Sequence, residues 1–94
     1  MASSRSSGVL NADTLLATGR NRVNAITVLT DGTNAATVDL YDNTTASGTI
    51  RVKGRCVGAS LVNHILFDNP VIFENGIYAD VTGTGATFIV FFGG

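Results

Sequence analysis

The sequence predicts an all-β fold, either a single small antiparallel β-sandwich or a jelly-roll-like barrel. Apolar residues alternate with polar ones along several short segments, which is the period of a strand with one wet face. Clusters of Gly and Asn separate these segments, and no window of a dozen residues carries the apolar stripe of a helix. Many short strands with turn signals between them are typical of small sandwiches and barrels.

The segment "TIRVKGRCV", residues 49 to 57, shows the alternation clearly. Ile50, Val52 and Cys56 fall on one face of this strand. The opposite face carries three cations: Arg51, Lys53 and Arg55. Because Cys56 follows the inward alternation, we expect a buried, unreactive thiol that packs as a small hydrophobe. Cys56 is the single cysteine, so the sequence predicts neither a disulfide framework nor a cysteine metal site.

The strands follow from this pattern and from the turn signals between them. We place them at residues 15–17, 23–30, 36–42, 49–57, 61–68, 71–73, 77–82 and 86–92. The stretch "TDGTNA" predicts a tight hairpin between the second and third strands, because Asp-Gly readily takes positive φ angles. "TGTGA" predicts a second hairpin between the last two. Pro70 has no N–H to donate, so it belongs at a strand edge or at a corner between two sheets.

The domain organisation is simple. Residues 1 to 8 are Ser-rich and cannot bury apolar surface, so we expect a flexible polar N-terminal arm, either disordered or an extended clamp. Residues 9 to 94 form a single β-sandwich domain. No segment has the apolar core of a signal peptide, and the longest apolar run is too short for a membrane span, so we expect a soluble chain that is not exported.

The composition indicates a protein that meets partners through apolar surface. Apolar residues make up 45% of the chain and charged residues 14%, below the usual share of about a quarter. A small domain with so few charges has difficulty covering itself with polar side chains, which favours a partner interface. The net charge of −1 argues against a nucleic-acid partner, which would require a basic footprint.

No pattern in the sequence predicts catalysis, a metal or a cofactor. His64 is the single histidine and lacks neighbours at metal-ligand spacing, so a structural or surface role is favoured. No Ser lies in a nucleophile-elbow context that would complete a Ser-His-Asp triad. The "GTG" at residues 83–85 joins two strands and opens no helix, so it is interpreted as a turn. The sequence therefore predicts a non-enzymatic protein.

The three cations of residues 51 to 55 have two interpretations. Like charges on one strand face repel each other unless acids lie opposite them. In the first interpretation the face is solvated and is balanced by acids such as Asp39. In the second it is a complementary patch for an acidic protein surface.

Two longer segments carry a family resemblance. "ATVDLYDNTTASGT" followed by "NPVIFENGIYADVTGTGATFIVFF" resembles the small β-structured virion proteins of tailed bacteriophages, which decorate or cement the head or occupy its vertices and tail. The resembling region runs from about residue 23 to residue 92. The resemblance implies a structural virion protein, and it identifies no active-site residue because the matching positions are turn and core residues.

The final strand predicts an interface. In "ATFIVFFGG", Phe88, Val90 and Phe92 point to one side, while Ile89 and Phe91 point to the other. A strand that is apolar on both faces must be covered on both. The domain core covers one face, and we expect a neighbouring subunit to cover the other. The candidate interface residues are Arg51, Lys53, Arg55, Phe88, Phe91 and Phe92.

These observations predict a capsid decoration or cement protein that binds the major capsid protein or other virion proteins. We expect it to be made in the host cytoplasm, to reside in the virion and to form a homo-oligomer, with a trimer favoured. One alternative is a tail or head–tail connector component. Another is a carbohydrate-binding adhesin module, for which only Tyr41 and Tyr78 offer exposed aromatic rings, since the chain has no Trp.

Overall fold

The computed structural model describes residues 5 to 93, which form eight strands in two four-stranded antiparallel sheets. The strands are β1 (Arg5–Ser6), β2 (Thr14–Thr18), β3 (Asn21–Leu29), β4 (Ala36–Tyr41), β5 (Ile50–Cys56), β6 (Val62–Phe73), β7 (Gly76–Thr82) and β8 (Thr87–Gly93). Sheet A has the order β1-β8-β3-β6, and sheet B has the order β2-β7-β4-β5. The predicted small antiparallel sandwich is confirmed.

The order of the strands is that of a jelly roll. The first strand pairs with the eighth, the second with the seventh, the third with the sixth and the fourth with the fifth. Within each sheet a second pairing, β3 with β8 and β4 with β7, joins two of these pairs. Such a topology results when one long antiparallel hairpin is folded over into two facing sheets.

Both predicted hairpin turns are wrong in what they connect. "TDGTNA" leads from β3 in sheet A to β4 in sheet B, and "TGTGA" leads from β7 in sheet B to β8 in sheet A. The first turn is closed by Asp31, whose carboxylate Oδ1 accepts hydrogen bonds of 2.8 Å from the amides of Thr33 and Asn34. The turn chemistry is present, but it carries the chain between sheets. Among the described strands, consecutive ones pair only at β4 and β5.

Strand β6 joins two segments that the sequence predicts as separate strands. Its pairing with β3 runs from Val62 to Leu66, then skips to Val71, so that residues 67 to 70 bulge opposite Asn24. Pro70 lies in this bulge, and β6 is an edge strand of sheet A. The missing N–H of proline is therefore placed where no ladder hydrogen bond depends on it, as predicted.

The described part of the N-terminal arm lies along the last strand. Arg5 and Ser6 pair with Phe92 and Phe91, and the Ser7 amide donates to the Val90 carbonyl at 2.9 Å. The guanidinium of Arg5 stacks over the Phe92 ring at 5.3 Å from its centroid, a cation–π contact. The first four residues of the predicted arm lie outside the described part of the chain.

The core lies between the two sheets and is built from the inward side chains of both. It contains Val23, Ile26, Val28, Val38, Leu40, Val52, Cys56, Phe73, Ile77, Phe88, Val90 and Phe92, together with several alanines. The predicted burial of Cys56 is confirmed, since the residue is 2% exposed. Gly54 also faces inward, where an added Cβ would lie 3.0 Å from Val28 Cγ2 of the opposite sheet. The two sheets approach closely at this point.

Two loops at one end of the sandwich hold each other in place. The β3–β4 loop, residues 30 to 35, meets the β5–β6 loop, residues 57 to 61. The Thr30 amide donates to the Leu61 carbonyl at 3.0 Å, and the Thr30 hydroxyl donates to the Ser60 carbonyl at 2.6 Å. A Cβ at Gly58 would overlap the Thr33 carbonyl oxygen, so the close approach of the loops requires glycine there.

Gly58→Ala tests this loop contact. We expect the substitution to lower the free energy of unfolding by about 1–3 kcal/mol, because the added methyl group forces two hydrogen-bonded loops apart. Urea unfolding followed by circular dichroism measures the change. The control is Ala59→Ser, which adds one heavy atom at the exposed neighbouring position and should leave stability unchanged. Equal stability of Gly58→Ala and the wild type would show that the loops separate freely.

Candidate interaction surface

Arg51, the first of the three predicted cations, holds the end of the sandwich together. Its Nε donates to Asp42 Oδ2 at 3.1 Å, and the Asp42 side chain is buried. The other carboxylate oxygen of Asp42 accepts a hydrogen bond of 2.8 Å from the Asn75 amide, which links the β4–β5 loop to the β6–β7 loop. Arg51 therefore satisfies a buried charge within the chain.

The other two cations lie on the outer face of β5, an edge strand of sheet B. Lys53 Nζ lies 3.8 Å from Asp39 Oδ1, its cross-strand partner on β4. Arg55 lies opposite Thr37, and no described acidic side chain forms an ion pair with it. Charged side chains on an edge strand hinder edge-to-edge pairing with other chains. The geometry favours the interpretation of a solvated, balanced face.

Acidic residues continue the row of Lys53 and Asp39 across sheet B. Asp80 on β7 lies directly opposite Asp39, and Asp13 lies beyond it, with its Oδ1 accepting a 2.9 Å hydrogen bond from the Val81 amide. Burial raises the pKa of Asp80, and the neighbouring carboxylates of Asp13 and Asp39 raise it further. The outer face of sheet B is therefore a mixed, strongly charged surface.

The aromatic residues predicted for the interface divide between the two faces of β8. Phe88 is 0% exposed and Phe92 is 6% exposed, and both belong to the core between the sheets. Phe91 points outward and is half-buried. Of the three, only Phe91 reaches the outer surface of sheet A.

The outer face of sheet A carries a block of nine side chains that contains no Asp, Glu, Lys or Arg. We call it the uncharged grid: three positions on each of β8, β3 and β6, in register. Its residues are Thr87, Ile89 and Phe91 on β8; Leu29, Thr27 and Ala25 on β3; and Val62, His64 and Leu66 on β6. No strand or loop of the described chain forms a third layer over this face.

The centre of the uncharged grid is ordered by two contacts. Thr27 Oγ1 and His64 Nδ1 are hydrogen-bonded at 2.7 Å, and the His64 ring meets the Phe91 ring edge-on with centroids 6.0 Å apart. Beside them Leu66 is 71% exposed. Leu66, His64 and Phe91 line a shallow depression together with Asn24 and Ala25. A contiguous apolar patch, rather than one exposed leucine, indicates a surface that meets another protein, and the grid places several apolar side chains next to each other on three strands.

A second, smaller apolar surface lies at the loop end of the molecule. Val57 and Leu61 project from the β5–β6 loop, with Leu61 67% exposed, and Val62 connects them to the uncharged grid. Because the loop is held by Thr30 and Gly58, these side chains are presented by a fixed backbone.

The sequence predicts that Ile89 and Phe91 share the outer face of the last strand, but it does not predict the remainder of the grid. In the stretch "LVNHILFD", apolar side chains occur at both odd and even positions, so the period-2 pattern does not distinguish the wet face from the buried one. Sequence pattern alone assigns no partner to His64, because Thr27 and Phe91 come from distant strands. Only the strand pairing brings these residues together.

Within residues 5 to 93, no group of three or more His, Cys, Asp or Glu side chains is arranged to hold a metal ion. The same residues contain no helix capable of spanning a membrane. Comparison with known proteins found no matching family model, no matching curated protein and no matching solved structure.

Asp42→Asn tests the buried ion pair. Burial raises the pKa of Asp42, but hydrogen bonds from the Asn75 and Glu74 amides and from Arg51 outweigh it and hold the pKa below its ordinary value. We expect the variant to lose about 2 kcal/mol of unfolding free energy at neutral pH, because the charge-assisted hydrogen bonds are lost.

The pH dependence gives the matching control. A folded-state pKa below the unfolded value stabilises the protein fully above about pH 4, and this contribution is lost as the pH falls through the folded pKa. Urea unfolding of both proteins across this range should show their difference shrinking on acidification. A difference that stays constant at all pH values would contradict the electrostatic explanation.

Asp80→Asn should change the free energy of unfolding in the opposite direction. The pKa of Asp80 is raised in the folded state, so its ionisation disfavours folding, and the penalty appears as the pH rises above about 4. We expect the variant to gain up to about 1 kcal/mol at neutral pH and nothing in strong acid. Thermal unfolding at the two pH values measures this. Asp39→Asn is the control, since it removes an attraction to Lys53 along with a repulsion and should change stability less.

Proposed function

We propose that this chain is a non-enzymatic structural protein of a tailed-bacteriophage virion. In this proposal it binds the capsid lattice as a decoration or cement protein and associates with copies of itself. The observation that carries the proposal is the uncharged grid, a preordered apolar surface on one side of a small jelly roll. The resemblance of the segments from residue 23 to residue 92 supplies the virion setting.

The two outer faces of the sandwich suit different roles in an assembly. Sheet B presents Lys53, Asp39 and Asp80 to solvent, which keeps that side hydrated. Sheet A presents Leu66 and Phe91, whose burial under another protein is favourable. A protein with one charged face and one apolar face is suited to an assembly in which another protein covers the apolar face and the charged face stays in solvent.

Two further candidates remain proposals. A tail or head–tail connector component would bind a different virion partner. The adhesin candidate is favoured by Tyr41 and Tyr78, which lie directly opposite each other on the outer face of sheet B, half-buried, with Leu15 next to Tyr78. Paired rings on a sheet can stack against a sugar, and glycan-array binding that is lost in Tyr78→Ala would favour that candidate over the virion role.

Binding to particles tests the primary proposal. We expect the purified chain to co-sediment with heads of its phage that lack it, and to saturate at a copy number set by the symmetry of the lattice. Cryo-electron microscopy of the saturated particle would locate the copies. Absence of binding to heads at saturating concentration would overturn the decoration role. Binding to isolated tails would instead assign the protein to the connector or the tail.

The cation stripe gives a variant test of the docking side. We expect Lys53→Glu combined with Arg55→Glu to leave the melting temperature unchanged, because exposed ion pairs contribute under about 1 kcal/mol. The affinity for heads should stay within about twofold of the wild-type value. Arg51 is left unchanged, since its replacement would leave the buried Asp42 carboxylate without its cationic partner. A large, salt-dependent loss of binding would instead place the docking surface on sheet B, where like charges across an interface are strongly unfavourable.

A further inference from the structure

We propose that the uncharged grid is a homotypic contact, in which the outer face of sheet A packs against the same face of a second copy of this chain. The inference rests on the self-association in the proposed function and does not depend on the virion setting. It assigns the occupant of the grid, its symmetry and its strength.

Charge favours a second copy as the occupant. In a two-fold contact of a face with itself, the residues on the axis meet their own copies, so a charge in the central row would lie opposite an identical charge. The central row of the uncharged grid, Leu29, Thr27 and Ala25 on β3, carries no ionisable side chain. On sheet B the two central strands, β4 and β7, carry Asp39 and Asp80, so an axis along either strand would bring like charges together.

The sheet edges leave the face as the available route. The β8 edge of sheet A is covered by β1, and the β6 edge carries Pro70 and the four-residue bulge. In sheet B the β5 edge carries the exposed charges of Lys53 and Arg55, and the β2 edge has an irregular register between Leu15 and Ala17. These features hinder the addition of a strand from another chain. Association through a face requires no backbone pairing, and the face of sheet A is the apolar one.

The shape of the grid gives a two-fold arrangement. A self-pairing face closes at two copies, whereas a trimer needs two different surfaces on each chain. With the axis along β3, β8 of one copy lies over β6 of the other. The bulky ring of Phe91 then meets Leu66 of the second copy, and the small side chain of Ala25 leaves room beside them. Apolar side chains cover each other at the exposed corners of the grid.

The area of the grid indicates a weak contact. Three strands spaced about 4.8 Å apart and five residues of about 3.4 Å each enclose only a few hundred Å². Stable interfaces bury roughly 800 Å² on each partner. We therefore expect a weak dimer that forms fully only where copies of the chain are concentrated.

Dilution experiments on the full chain test the proposal. Sedimentation velocity between about 10 μM and about 1 mM should show the average mass rising from the 9.7 kDa of one chain toward twice that value. In the same series, ¹⁵N-resolved amide shifts should move with concentration at Thr27, Ile89 and His64. A mass that stays at one chain, a plateau at three chains, or concentration-dependent shifts confined to sheet B would each overturn the proposal.

A matched pair of variants locates the contact. Leu66→Lys places a charge on the grid at a position that is 71% exposed, and Leu61→Lys places the same charge on the β5–β6 loop at 67% exposure. We expect Leu66→Lys to weaken dimerisation at least roughly tenfold and Leu61→Lys to leave it unchanged. Circular dichroism checks the fold of both, and if Leu66→Lys does not fold, the wild-type shift mapping decides alone. Equal weakening by both variants would overturn the assignment.

The outcomes separate this inference from the proposed function. A wild-type chain that dimerises through the grid but ignores phage heads retains the homotypic contact and loses the decoration role. A chain that binds heads as a monomer, with unchanged binding of Leu66→Lys, retains the decoration role and loses the homotypic contact.

Discussion

The pairing of β8 with β3 in the middle of sheet A is the interaction on which the remaining structure depends. It places Phe88 and Val90 against Val28 and Ile26 inside the core. The same pairing sets Ile89 beside Thr27 on the outer face, so the register that fills the core also forms the uncharged grid. A slip by one residue would exchange the two faces and destroy both. Core stability and the candidate interaction surface are therefore fixed by a single register.

The charged face and the apolar face are linked through the thin sandwich between them. The inward-facing side chains of both sheets form one core. Apolar side chains at the alternate positions of β3, β6 and β8 therefore point outward. On sheet B the outward positions carry charges that pair locally, such as Lys53 with Asp39. On sheet A they carry Leu66 and Phe91, for which no described part of the chain forms a cover. Sheet B thus has a row of charged side chains across its outer face, whereas the uncharged grid of sheet A has none.

Much of the fold follows from local pattern, whereas the site depends on pairing. The alternation around Val52 and Cys56 predicted the strand and the buried thiol, because both depend only on neighbours in sequence. The turn at Asp31 was predicted as a hairpin, since turn chemistry does not reveal to which sheet the next strand goes. The balance of Arg51 by Asp42 and the meeting of His64 with Phe91 both required the three-dimensional arrangement. Alternation predicts which residues are buried, but not which surfaces lie side by side.

The nested order of the strands also has a consequence for chain entropy. The β4–β5 pair encloses only the short loop of residues 42 to 49, and each further pair in the series encloses the one before it. Once an inner pair is fixed, the next pair restrains only the short connections added on either side, although its partners are far apart in sequence. Because loop-closure entropy grows with the length of free chain, the contact between Arg5 and Phe92 restricts few additional residues. A fold made almost entirely of distant contacts is thus closed by a series of short loops.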